Sequence, residues 1–237
     1  MHGLESGPRG DKVQRLREAG LDVEAADMKM SVRRLDRRNS VVRNLLRERE
    51  VQLAAAAFAA SVVASVRTRR AGTALAGLAA GASWLAARRT VLQRRALRRS
   101  YETCIAIQRE ALARHRPDVV LGSSWGGAVA IELALEGTWR GPTVLLAPAF
   151  HRVAARIGEG DVEVAARVGR LQELAASQRI VILHDAHDET VPFGDSVALQ
   201  GGSDIELRRV HAGGHRLMGL LDDGSLLEIL RAMAVPA

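Results

Sequence analysis

Residues 119–130 read Val119-Val120-Leu121-Gly122-Ser123-Ser124-Trp125-Gly126-Gly127-Ala128-Val129-Ala130, and the apolar pattern then continues to Leu135. An apolar run, a Gly/Ser turn and a helical pattern in this order predict a strand, a sharp turn and a helix, with Ser124 at the apex of a G-x-S-x-G elbow. The spacing has a mechanical reason. Gly122 and Gly126 lack Cβ atoms, so the chain can turn tightly enough to hold Ser124 in a strained conformation with its hydroxyl exposed. Its Oγ then stands at a helix N-terminus, where backbone N–H groups favour developing negative charge. Ser124 is therefore the candidate nucleophile.

Two later segments supply candidate partners. Leu183-His184-Asp185-Ala186-His187-Asp188-Glu189-Thr190-Val191-Pro192 follows the apolar run Ile180 to Leu183, which puts Asp188 in a loop at the C-terminal end of a strand. Val210-His211-Ala212-Gly213-Gly214-His215 follows the alternating segment Ile205 to Val210, which puts His215 after the next strand. The chain order Ser, Asp, His differs from the orders of chymotrypsin and subtilisin. Here the chain resembles the α/β-hydrolase superfamily, whose H-G-x-x-D-x-x-V-P signature around the acid is matched at His184, Asp188, Val191 and Pro192, with Asp185 where glycine is usual. The resemblance implies a triad of Ser124, Asp188 and His215. It favours Asp188 over Asp185, its rival in the same loop, because the Val-Pro spacing fits Asp188. It makes His184 a residue that shapes the loop, and His211 reads as an ordinary packed or surface histidine.

The segment His2-Gly3-Leu4-Glu5-Ser6-Gly7-Pro8, with Lys12 following, is similar to the HG oxyanion loop of small bacterial esterases and thioesterases. By that resemblance the N–H groups of Leu4 and Trp125 form the oxyanion hole, and removal of one such donor typically costs ~10²- to 10³-fold in rate. Glu5 reads as a solvated carboxylate. In the family an apolar strand leads into HG, whereas Met1 alone precedes it here. The expectation is thus an α/β-hydrolase-like parallel sheet flanked by helices, lacking its N-terminal strand or strands, with a further strand at Leu21 to Ala25.

At 237 residues the chain can bury one sizeable core, and one domain with an insertion fits better than two full domains. Cys104 is the only cysteine, which excludes an intramolecular disulfide and reads as a buried structural thiol. No Cys/His spacing of zinc type occurs, and neither a metal nor an organic cofactor is expected. The first thirty residues are polar and mixed in charge, unlike a secretory signal, so a cytoplasmic location is expected.

The net charge of +7 is unevenly placed: residues 33–99 hold sixteen arginines and three acids, a net +13, which leaves −6 on the rest of the chain. All but two of the thirty-four basic residues are arginine, and the aromatic residues and motifs of nucleic-acid binders are absent. The boundaries expected are a discontinuous catalytic domain, 1–32 and 100–237, and an inserted basic, Ala-rich helical hairpin at 33–99. The hairpin contains two uncharged runs, Val51 to Val66 and Ala71 to Ala87, separated by Arg67-Thr68-Arg69-Arg70. Each is ~25 Å long if helical, short of the ~30 Å hydrocarbon core. Gly77 and Gly81 form a G-x-x-x-G that lets two helices approach closely.

Three roles stay open for this segment: attachment to an anionic membrane surface, a lid, and a homodimer contact. Arginines flanking the runs outnumber those between them, which favours the cytoplasmic face, although carrying the tip arginines across would cost ~2.5 kcal/mol or more each at the bilayer centre.

The chemistry implied is serine hydrolysis of a carboxylic ester or thioester. His215, oriented by Asp188, accepts the proton of Ser124 as Oγ attacks the carbonyl; an acyl-enzyme forms, and water then releases the acid. An acyl aminopeptidase-like hydrolase and a catalytically silent, membrane-associated scaffold stand as alternatives.

Overall fold

The computed structural model describes residues 1–3, 7–31, 39–69, 71–211 and 213–235. The chain divides into two compact units, Met1–Met30 with Tyr101–Ala237, and Ser31–Ser100. The elements in order are α1 (Asp11–Glu18), α2 (Ser40–Leu46), α3 (Arg49–Thr68), α4 (Ala71–His115), β1 (Val120–Ser123), α5 (Trp125–Leu135), β2 (Thr143–Leu146), α6 (Phe150–Ile157), α7 (Asp161–Leu174), β3 (Ile180–Asp185), α8 (Phe193–Gln200), β4 (Glu206–Val210), α9 (Gly219–Asp222) and α10 (Ser225–Ala234), with a 3₁₀ turn at Gly214–Arg216.

The first unit is mixed α/β. Its four strands are all parallel, in the order β1-β2-β3-β4, with Val120 opposite Thr143, Thr143 opposite Ile180 and Val181 opposite Glu206. Parallel neighbours need a crossover, and helices supply each one: α5, then α6 and α7, then α8. Val144, Leu146, Val181 and Leu183 pack with Leu16 of α1, Leu220 of α9 and Leu226, Leu230 and Met233 of α10. Because side chains alternate along a strand, Leu145 and Ile182 point to the opposite face, and both are fully buried. Burial on both faces explains why β2 and β3 read as continuous apolar runs rather than alternating ones.

Leu21 to Ala25 forms no strand, contrary to the sequence expectation. A strand requires a neighbour to supply its ladder. Among the described residues the flank of β1 is instead met by Met1, whose ammonium donates to the Leu121 carbonyl and whose own carbonyl accepts from the Ser123 N–H at 3.1 Å. Several backbone groups of residues 21–28 find other partners. Arg17 donates to the Val23 carbonyl, Gln108 donates to that of Ala26, and the Met28 N–H donates to His2 Nε2. Leu21 and Val23 still pack against the core.

The second unit is helical. Antiparallel α3 and the first part of α4 approach closely at the G-x-x-x-G: a Cβ placed on Gly77 would lie 2.3 Å from Ser61 Oγ, and one on Gly81 would lie 4.0 Å from the Ala54 Cβ. Helix α4 continues without a break to His115. Residues 82–115 contain neither glycine nor proline, so nothing interrupts the hydrogen-bond ladder until Arg116, at φ 44°, and Pro117 end it.

Candidate active site

Ser124 follows β1 directly and caps α5 with φ 54° and ψ −116°, a strained conformation for a residue bearing a Cβ. Contacts on all sides hold it there. The Ser124 N–H donates to the Leu146 carbonyl at 2.9 Å, and the Ser124 carbonyl accepts from Gly127 and Ala149 at 2.9 and 3.0 Å. The flanking glycines are required by crowding. A Cβ on Gly122 would lie 2.8 Å from the Gly126 carbonyl oxygen, and one on Gly126 would lie 2.5 Å from the carbonyl oxygens of Met1 and His2.

The acid comes from the loop after β3. Asp188 Oδ1 accepts from the N–H groups of Thr190 and Val191 at 2.7 and 2.9 Å. Its Oδ2 lies 2.7 Å from His215 Nδ1 and 3.2 Å from His184 Nε2. Burial pushes the Asp188 carboxyl up, but the N–H donors of Val191 and Thr190 and the His215 ring outweigh it and hold the carboxyl below its ordinary range.

His215 lies in the 3₁₀ turn beyond β4, and its Nε2 is 2.9 Å from Ser124 Oγ. A carboxylate only accepts, so Nδ1 carries the proton and Nε2 is left to accept from the serine hydroxyl. Side chains separated by 64 and 27 residues in sequence thus form one continuous relay, Ser124 to His215 to Asp188.

Neighbouring residues support the relay. His184 is fully buried; its Nε2–H donates to the Val191 carbonyl at 3.0 Å while Nδ1 accepts from Ser196 at 2.7 Å, which clamps the acid loop to α8. Asp185 has a different task from Asp188. Its Oδ1 accepts from the His187 N–H at 2.9 Å and its Oδ2 from the Gly214 N–H at 2.8 Å, so it fastens the residue preceding His215 to the end of β3. Asp185 therefore has a structural use of its own.

The Trp125 N–H opens α5 and donates to no acceptor among the described residues. The Trp125 ring is buried and meets Tyr101 edge to face at 5.6 Å, which fixes the first turn of the helix. Leu4 and Glu5 lie outside the described residues. Their neighbour Gly3 runs beside Ser124, since a Cβ there would lie 3.7 Å from that of the serine. His2 positions this stretch: Nε2 accepts from the Met28 N–H, so Nδ1–H donates to the Gly3 carbonyl at 2.9 Å.

Lys12, noted in the sequence only as part of the HG segment, lies in the wall of the site with Nζ donating to Ser123 Oγ at 3.1 Å. Burial, with a smaller effect from the nearby Arg216, brings its ammonium down to about 8. Its place beside the elbow arises from the packing of α1, which no local motif encodes. Cys104 is buried, and burial raises its thiol to about 12, so it stays a thiol.

No protein-family model, curated protein or solved structure matches the chain.

Proposed function

We propose that the protein is a serine hydrolase on an α/β-hydrolase-like scaffold, cleaving a carboxylic ester or thioester through an acyl-enzyme on Ser124. The observation that carries this reading is the relay of 2.9 Å from Ser124 Oγ to His215 Nε2 and 2.7 Å from His215 Nδ1 to Asp188 Oδ2, built on a serine with positive φ. Oγ attacks the carbonyl carbon as its proton passes to Nε2; the imidazolium formed is stabilised by the ionised Asp188 and then protonates the leaving oxygen or sulfur. Water repeats the sequence to free the acid. The Trp125 N–H, aligned by the N-terminus of α5, is one donor to the developing oxyanion, and Leu4 is assigned as the other by the resemblance of the HG segment. The test is turnover of aryl esters and acyl thioesters of increasing chain length, with aminoacyl amides for comparison. Ser124→Ala is expected to lower kcat/KM by ~10⁴-fold or more on the preferred ester. Equal turnover by the variant would overturn the assignment.

For the second unit we propose attachment to an anionic membrane surface. Helix α3 is the one described helix long and apolar enough to cross a bilayer, and only 6 % of its apolar window is buried. Val66 and Leu75 are 73 % and 66 % exposed. The two described acids of this unit, Glu48 and Glu50, pair with Arg99 and Arg95, while its described arginines number eleven. Uncompensated positive charge beside exposed apolar surface suits anionic headgroups. Cosedimentation with phosphatidylglycerol vesicles but not with pure phosphatidylcholine vesicles supports this; equal partitioning into neither overturns it.

A further inference from the structure

Beside the triad, and sharing no atom with its proton relay, the ends of β3 and β4 bring together a second set of side chains. Asp185 is the last residue of β3, His187 follows two residues later, and His211 is the first residue beyond β4. The parallel register sets Asp185 opposite Val210, so the two strands release their loops side by side. One carboxylate oxygen and one ring nitrogen from each histidine lie within 4.8 Å of one another, and the imidazole rings are 5.7 Å apart at 38°.

We propose that Asp185, His187 and His211 bind a zinc-class divalent metal ion that staples the loop bearing Asp188 to the loop bearing His215. Two imidazoles and one carboxylate are the donor set of open zinc sites, with further positions left to water. Imidazole nitrogen also selects zinc, cobalt, nickel or copper over magnesium and calcium, which prefer all-oxygen shells.

The geometry needs little adjustment. Ligand atoms ~2.1 Å from a tetrahedral zinc stand ~3.4 Å from one another, and His187 Nδ1 already lies 3.5 Å from Asp185 Oδ1. The remaining separations close by rotation of two exposed imidazoles, the His187 side chain being 77 % exposed. The carboxylate, in contrast, is held in place. Asp185 is buried, and the N–H groups of His187 and Gly214 each donate to one of its oxygens. Backbone donors that orient a ligating carboxylate in this way preserve its affinity. The His211 ring is exposed and faces the His187 ring. Since the Gly214 N–H is one of those donors, an ion here stiffens the entry to His215 without touching the reacting atoms.

The experiment uses the full chain, without a histidine tag and stripped with chelator. Zinc titration followed calorimetrically is expected to give one saturable site per chain and a rise in Tm, while magnesium gives neither. His187→Ala and His211→Ala should each weaken binding by about tenfold or more, and the double variant should lose the Tm rise. Cobalt should give visible absorption in the parent chain that is lost in the double variant. The proposal is overturned if the double variant binds zinc as tightly as the parent, or if the parent shows no saturable zinc binding. Covalent labelling of Ser124, followed in the same samples, reports on the serine chemistry independently and survives either result.

Discussion

In the unit built on the sheet, Val144, Leu146, Val181 and Leu183 are at most 4 % exposed, whereas in the helical unit Val63, Val66 and Leu75 are 52–73 % exposed. The same residue types are used to opposite ends. Burial on both faces of the sheet fixes the strand ends, and with them the positions of Ser124, Asp188 and His215, to within hydrogen-bonding tolerance. The helical unit leaves these apolar side chains outward and its arginines in excess, the two features on which the proposed membrane attachment rests. A site assembled by self-burial is broken by small local changes, while an exposed surface tolerates them.

The largest break is expected within the acid loop. Asp188→Asn keeps the shape of the site but favours the wrong His215 tautomer, so kcat should fall by ~10⁴-fold in ester turnover. Asp185→Asn leaves the relay intact and should cost far less; similar losses in the two variants would show that the roles have been misassigned. Asp188 also contributes to acid stability. Its carboxyl is depressed in the folded protein, so its contribution is present above the unfolded value of ~3.9 and is lost as pH falls through the lower folded value. Denaturant titrations of parent and Asp188→Asn should therefore differ most above pH ~4 and converge below it.

Glycines sharpen the contrast between the units. A Cβ on Gly122 meets backbone at 2.8 Å, which cannot move aside, so Gly122→Ala should cost about 3 kcal/mol and remove activity. A Cβ on Gly77 meets Ser61 Oγ at 2.3 Å and Ser61 Cβ at 2.4 Å, so the two helices must move apart, and the gain in helix propensity offsets only part of the strain. Gly77→Ala should therefore cost about 1–2 kcal/mol while leaving ester turnover in place, and Ser61→Ala beside it, which keeps that Cβ, should not restore the parent stability. Thermal unfolding of the three variants orders them.

The last effect runs in the opposite direction. Lys12 is charged at neutral pH against the pull of burial, which lowers it to about 8. Lys12→Met should therefore stabilise the fold by about 1–3 kcal/mol at pH 7. The sign follows from linkage: the cost of the buried charge is full below pH ~8 and disappears between the folded value and the unfolded ~10.4, so the advantage of the variant should vanish by pH ~10.5. A difference independent of pH would show that packing, not charge, is the cause.

The elbow, the acid and the histidine were legible because each is encoded locally, as a turn chemistry placed after an apolar run. What the sequence concealed depends on partners distant along the chain. Leu21 to Ala25 has the alternation of a strand but no strand to pair with among the described residues. Asp185 read as a competitor of Asp188 because only the folded loop reveals the Gly214 N–H it holds. His211 read as incidental because its approach to His187 exists only through the pairing of β3 with β4. Lys12 reaches Ser123 through the packing of α1, and α4 runs unbroken because glycine and proline are missing from residues 82–115, a signal that was available in the sequence.

The most direct measurement is stoichiometric reaction of the folded chain with a fluorophosphonate, read by intact mass and peptide mapping. The account predicts one adduct per chain, located on Ser124, absent in Ser124→Ala and strongly slowed in His215→Ala. A well-folded parent chain that fails to react, or an adduct that persists unchanged in Ser124→Ala, would contradict it.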